Sequence, residues 1–132
     1  MNRIPATLTR IETFEGVSQL FFDADGTSLT MVGLELPKGA KVGATVTLGI
    51  KATHIIPARD IPEEMAISNA LPVHIETIEK GHILSVVILR FDEIPLEAIV
   101  PADIFESLGL QENEKGYALF QASELSILEI LP

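Results

Sequence analysis

Short segments in which apolar and polar residues alternate run along the whole chain, separated by turn residues. The clearest is Thr45-Val46-Thr47-Leu48-Gly49-Ile50, because a period of two is typical of a half-buried strand. Glycine and aspartate mark the turns, as in Asp23-Ala24-Asp25-Gly26. In the first half the pattern predicts five strands, the last of which closes the unit: residues 8–11, 18–22, 29–32, 45–50 and 55–56.

The second half follows the same plan and adds a helix. Its predicted strands are residues 73–78, 83–89, 98–100, 117–120 and 125–130. A short helix is predicted over residues 101–109, because Pro101 can begin a helix and Gly109 can end it. The matching stretch of the first half carries Pro37 and Gly39, so the helix is expected to be missing there. Residues 58–64 are polar, contain a proline and are interpreted as the linker.

The two halves are also related residue by residue, which indicates two copies of one module. The offset is 67 through the first part of the alignment and 70 near its end. The matched pairs include Pro5 with Pro72, Ser18 with Ser85, Asp25 with Asp92, Gly43 with Asn113, Ala52 with Ala122, and Thr53 with Ser123. The sequence therefore predicts two domains, residues 1–61 and 65–132.

Strand number and turn spacing predict the fold class. Five short strands per copy, with one inserted helix, indicate a mainly β protein made of two tandem OB-like small β-barrels, the second carrying the helix. A single β-sandwich built from both halves is the alternative. A unit of about 60 residues buries too little surface to be stable alone. Since 47% of the residues are hydrophobic, we expect the halves to pack together and the chains to assemble.

Composition restricts the classes of function. The chain has no cysteine, and its start lacks the apolar core of a signal peptide, so a cytoplasmic protein is expected. The formal net charge of −10 argues against nucleic acid and anionic membranes as partners. The three histidines have no metal-ligand spacing and are interpreted as surface or half-buried strand residues. No catalytic motif is present, so we expect no enzyme and no metal site.

Three motifs resemble those of a known family. Ile67-Ser68-Asn69-Ala70-Leu71-Pro72 is similar to the opening of TOBE (Mop-like) domains, and residues 107–114 resemble the turn that follows their short helix. The closing strand of the family resembles Phe120-Gln121-Ala122-Ser123 and, with its lysine present, Gly49-Ile50-Lys51-Ala52-Thr53. The resemblance is found in both halves of the chain, as in the tandem di-Mop molbindins.

The resemblance implies function as well as fold. Molbindins are cytoplasmic proteins that bind molybdate or tungstate between subunits, so the chain is expected to bind such an oxyanion and to form a homo-oligomer, a trimer of tandem domains. The expected oxyanion-binding residues are Lys51 as the charge partner, Thr53 as a hydroxyl donor, and Ala52, Ser68, Asn69, Ala122, Ser123, Gly16 and Gly81 as further contributors. Clustered backbone N–H groups and hydroxyls can hold such an anion.

Other interpretations stay open at this point. Lys51 can instead be an exposed lysine that protects a strand edge. In the second copy Gln121 replaces the family's lysine, and Ser68 aligns with its arginine. A rival function is therefore a degenerate tandem used for oligomerisation or for docking on a partner, without anion binding. An OB-type nucleic-acid binder is disfavoured, because stacking needs exposed aromatics and the chain has one tyrosine and no tryptophan.

Overall fold

The computed structural model describes all 132 residues as two curled antiparallel sheets with one α-helix. The first half forms β1 (Asn2–Phe14), β2 (Val17–Ala24), β3 (Thr27–Gly33), β4 (Thr45–Ile50) and β5 (Ile56–Ala58). The second half forms β6 (Asn69–Lys80), β7 (Leu84–Phe91), β8 (Ile94–Pro101), α1 (Ala102–Leu108), β9 (Lys115–Phe120) and β10 (Ser126–Ile130). The prediction of a mainly β protein with tandem OB-like units is confirmed.

Each sheet takes its fifth strand from the other half of the chain. The strand orders are β10-β4-β1-β2-β3 and β5-β9-β6-β7-β8. The prediction that residues 55–56 close the first unit is wrong, because the strand there pairs with β9 of the second sheet. In return β10 pairs with β4 of the first sheet. Each half of the chain thus builds four strands of one sheet and one strand of the other.

Local irregularities repeat at the spacing of the sequence repeat. A bulge interrupts the ladder between Leu8 and Arg10, and another lies between Ile75 and Thr77. The hairpin residues Asp25 and Asp92 have φ angles of 47° and 53°. Short polar side chains tolerate this left-handed region better than other non-glycine residues. Asn113 likewise has φ 72° where the first half has Gly43 at 95°, so a conformation set by turn chemistry recurs in both halves.

The single α-helix lies where the sequence predicted it. Pro101 precedes the first helical residue, and Gly109 ends the helix with φ 67°, its N–H donating to the carbonyl of Glu106. Phe105 is buried and anchors the helix, whereas Ile104 is 61% exposed. The corresponding stretch of the first half contains turns and no α-helix, as predicted. No helix here has the length and apolar character needed to cross a bilayer.

The two halves share one hydrophobic core and a pair of reciprocal polar contacts. Buried side chains from both sheets form a single continuous cluster. Asn69 accepts a hydrogen bond from the N–H of Thr30 (2.7 Å) and donates one to the carbonyl of Thr30 (2.9 Å). Asn2 makes the same pair of bonds with the backbone of Glu97, both at 2.8 Å. Since these residues match at the 67-residue offset, the halves are related by an approximate twofold rotation.

Candidate functional site

The closing motifs of the two halves form two similar turns, which we call the first corner (residues 51–54) and the second corner (residues 121–124). Each is a 3₁₀ turn that follows an inner strand, β4 or β9. In the first corner the N–H of His54 donates to the carbonyl of Lys51 at 2.9 Å, and in the second that of Glu124 donates to Gln121 at 3.0 Å. The backbone thus has nearly the same shape at both corners.

Buried residues on both sides fix the direction in which each corner points. Ile50 and Ile55 are almost fully buried before and after the first corner. Because the chain is held at these two points, the side chains of Lys51 and Thr53 are exposed and Ala52 is half-buried. The first corner therefore presents an ammonium group and a hydroxyl to solvent on a firmly held turn.

The two corners meet at their last residues. His54 Nδ1 lies 2.9 Å from Glu124 Oε2, although the two groups are not aligned as a regular hydrogen bond. Both side chains are a little over one third exposed. Sequence reasoning did not include this pair in the site, yet the 70-residue offset that matches Thr53 with Ser123 also matches His54 with Glu124. The repeat makes the two positions equivalent, but it does not indicate that the two side chains meet.

Two of the predicted residues are brought to the second corner from the start of β6. The N–H of Ala122 donates to the hydroxyl oxygen of Ser68 at 3.2 Å. Asn69 is adjacent to the corner in the sheet, where it pairs with Phe120. Its side chain is fully buried and bonded to the backbone of Thr30. Ser68 is thus at the surface of the corner, whereas the Asn69 amide joins the two halves of the molecule.

Each glycine turn lies at the far end of the long strand that starts beside the corner of its own half. Asn2 pairs with Ile50 at one end of β1, beside the first corner, and Gly16 lies in the turn at the other end. In the same way, Ser68 immediately precedes β6, and Gly81 follows the other end of that strand.

The first corner presents groups that can bind an anion by charge and by hydrogen bonds. Lys51 supplies a positive charge, and the exposed Thr53 supplies a hydroxyl. Arg3 pairs with Gly49, two residues before Lys51, and adds a second cation on this side of the sheet. No group of three or more histidine or acidic side chains is arranged to hold a metal ion.

Comparison with known proteins relates the chain to one domain family and to one solved structure. Residues 66–127 match the family model of the TOBE domain, whereas the sequence has no significant match among curated proteins. Among solved structures, the chain is similar to the cytoplasmic molybdate-binding protein ModG with molybdate bound, with a TM-score of 0.87 at 20% sequence identity. The likeness covers 96% of this chain and 94% of that chain, so the fold is shared over both halves.

Proposed function

Residues 66–127 belong to the TOBE domain family, and on this premise we propose that the chain is a cytoplasmic protein that binds molybdate or tungstate without catalysing a reaction. The observation that carries the proposal is the likeness of fold, over nearly the whole chain, to a protein crystallised with molybdate bound. Storage, homeostasis or delivery of the oxyanion is the role that we propose for such binding.

The proposed ligand contacts begin with the first corner. A dianion that leaves water must be balanced by positive charge, and its oxygen atoms must accept hydrogen bonds from donors of the protein. Lys51 supplies the charge, Thr53 a hydroxyl, and Ala52 a backbone N–H. Ala122 and Ser123 are the equivalent groups of the second corner, with Ser68 and Asn69 beside them at the start of β6. Because the whole chain carries a formal charge of −10, local cations matter more here than in a neutral protein.

We propose that the chains assemble as a homo-oligomer and that assembly completes the site. Phe14, beside the turn of Gly16, is 77% exposed, and Ile83, beside Gly81, is 75% exposed. Apolar side chains exposed at both tips favour burial against another chain. Contact of a tip with a neighbouring chain would also bring Gly16 or Gly81 to the surface of that chain. The trimer remains the expected form by resemblance to the molbindins.

Calorimetric titration with molybdate, with sulfate as the control, tests the binding proposal. Saturable heat and a ligand-dependent rise in melting temperature are expected, because a ligand that binds only the folded chain stabilises it. Lys51→Ala is expected to weaken binding while leaving the unliganded melting temperature nearly unchanged, since Lys51 is exposed. Absence of heat and of a thermal shift with both molybdate and tungstate would instead favour a docking or oligomerisation module.

Sedimentation of the unliganded protein tests assembly separately. Replacement of Phe14 and Ile83 by serine is expected to lower the mass of the particle without unfolding the chain. Val42→Ser is the matched control, because Val42 is 61% exposed but lies away from both tips. A monomeric wild-type chain at micromolar concentration would contradict this part of the proposal.

A further inference from the structure

The two corners have the same backbone but opposite charge, and we infer that the first corner takes the oxyanion whereas the second does not. Each chain would then bind one oxyanion at its corners rather than two. The inference rests on the proposed function and adds to it a choice between two sites that the repeat makes equivalent in sequence position.

Backbone shape does not distinguish the corners. Lys51 has φ −72° and ψ 145°, and Gln121 has φ −83° and ψ 151°. The residues that follow the two turns, Ile55 and Leu125, are also both extended and buried. Any difference in anion binding must therefore come from side chains.

The residues that the first corner and its neighbouring strands contribute carry a net positive charge. Lys51 is its first residue, and Arg3 lies on the neighbouring strand opposite Gly49. One carboxylate, that of the exposed Glu97, belongs to the residue whose backbone is bonded by Asn2 beside this corner. At the four positions compared between the corners, two cations and one carboxylate leave a formal charge of +1 with His54 neutral; the Glu124 carboxylate, which also touches His54, is counted with its own corner.

The equivalent positions of the second corner carry a net negative charge. Gln121 replaces Lys51, and Ala70 and Thr30 replace Arg3 and Glu97, so none of the three is charged. The fourth position is Glu124 in place of His54, which gives a formal charge of −1. A dianion at this corner would meet a carboxylate and no lysine or arginine among the equivalent positions.

Two contacts strengthen the difference between the corners. Ser68 Oγ accepts a hydrogen bond from the N–H of Ala122, so this N–H of the second corner is already paired. At the matching position the first half has Met1, which has no hydroxyl. The carboxylate of Glu124 lies where the two corners meet, 2.9 Å from His54 Nδ1. Glu124 thus repels an anion near both corners, but only the first corner has Lys51 and Arg3 to offset it.

Stoichiometry measured by calorimetry on the full chain tests the inference, with molybdate as the probe. The wild-type chain is expected to bind one molybdate per chain at the corners. Lys51→Gln gives the first corner the side chain that the second already has, and about tenfold or greater loss of affinity is expected from removing one charge about 5 Å from a dianion in a water-like medium. Gln121→Lys with Glu124→Gln is the reciprocal change and is expected to raise the number of sites to two per chain.

The outcomes separate the inference from the proposed function. Two molybdate ions per wild-type chain, or a Lys51→Gln variant that loses only half of its sites, would overturn the inference while molybdate binding stood. Absence of binding by the wild-type chain would overturn both. Circular dichroism and melting curves of every variant, all changed at exposed or half-exposed side chains, exclude loss of fold as the cause of a lost site.

Discussion

At the scale of single residues, two asparagines join the halves of the fold. The carboxamides of Asn2 and Asn69 are buried, and each satisfies both the N–H and the carbonyl of one residue on an outer strand of the opposite sheet. Outer strands present unpaired backbone groups. Each asparagine therefore closes part of an open sheet edge and joins the two halves of the chain.

Replacement of either asparagine by alanine is expected to destabilise the folded chain by about 1–3 kcal/mol, because buried hydrogen-bonding groups lose their partners. Urea unfolding measures the change in the free energy of unfolding. Ser68→Ala, next to Asn69 but exposed, is the matched control and is expected to change that free energy by no more than about 0.5 kcal/mol. Equal effects at positions 68 and 69 would show that the buried amide has no special role.

Two aspartates that match in the repeat, Asp25 in the β2–β3 turn and Asp92 in the β7–β8 turn, also interact with each other. The pKa of Asp92 is raised above its ordinary value of 3.8, first by a hydrogen bond with Asp25, then by burial and by the negative charges of Asp25 and Glu93. A raised pKa means that the folded chain binds this proton more tightly than the unfolded chain does. The ionised form of Asp92 therefore destabilises the fold above its raised pKa, and this effect disappears as the pH falls towards 3.8.

Asp92→Asn is accordingly expected to raise the urea midpoint at pH 7, with a gain that shrinks as the pH is lowered towards 3.8. Asparagine also accepts the positive φ of this turn, but that contribution does not depend on pH. Unfolding curves of the variant and the wild type across this pH range separate the two effects. Asp60→Asn removes the same charge from another exposed position, and a similar pH-dependent gain there would count against the Asp25–Asp92 pair.

At the scale of elements, the exchange of β5 and β10 between the sheets decides which strands stabilise each other. β10 pairs with β4, in the sheet built by the first half, through a register that places Ile127 opposite Leu48. Gly49 allows this approach, because a side chain there would meet Leu128 at 2.7 Å. The end of the chain thus completes the sheet that its beginning forms.

Removal of residues 126–132 is therefore expected to expose β4 rather than β9. Hydrogen exchange measured by mass spectrometry would give faster exchange in residues 45–50 and little change in residues 115–120, which keep β5 and β6 as neighbours. The full-length chain under the same conditions is the control. Faster exchange in β9 with β4 unaffected would contradict the exchanged topology.

At the scale of the whole molecule, the shared core and the exchanged strands make the two halves one folding unit. Buried residues of both sheets belong to one cluster, and neither sheet is complete without a strand from the other half. Since small units with a single core usually unfold in one step, the two repeats are expected to unfold together.

Tyr117, on β9, allows this to be measured, because it is the only tyrosine and the chain has no tryptophan. Its fluorescence reports on the second sheet, whereas far-ultraviolet circular dichroism reports on both sheets. Coincident urea transitions from the two signals are expected. A fluorescence transition separated from that of circular dichroism would indicate that the halves unfold independently.

The family was predicted more completely than the binding site. The motifs of the second half identified the TOBE family, and the match of residues 66–127 confirms that identification. Asn69 was predicted to supply donors to the oxyanion, and its side-chain amide is bonded instead to the backbone of Thr30, in the contact between the halves. The roles of Lys51, Thr53 and the other residues of the corners stay predictions.

Sequence by itself determined the features that depend on neighbouring residues. Alternation of apolar residues gave the strands, glycine and aspartate gave the turns, Pro101 and Gly109 gave the helix, and the repeat gave two equivalent modules. Only the tertiary structure decided which sheet receives β5 and β10, what the asparagines bond, and that His54 meets Glu124. A strand's pattern records that one face is buried, but it does not record the partner, since many apolar surfaces satisfy the same pattern.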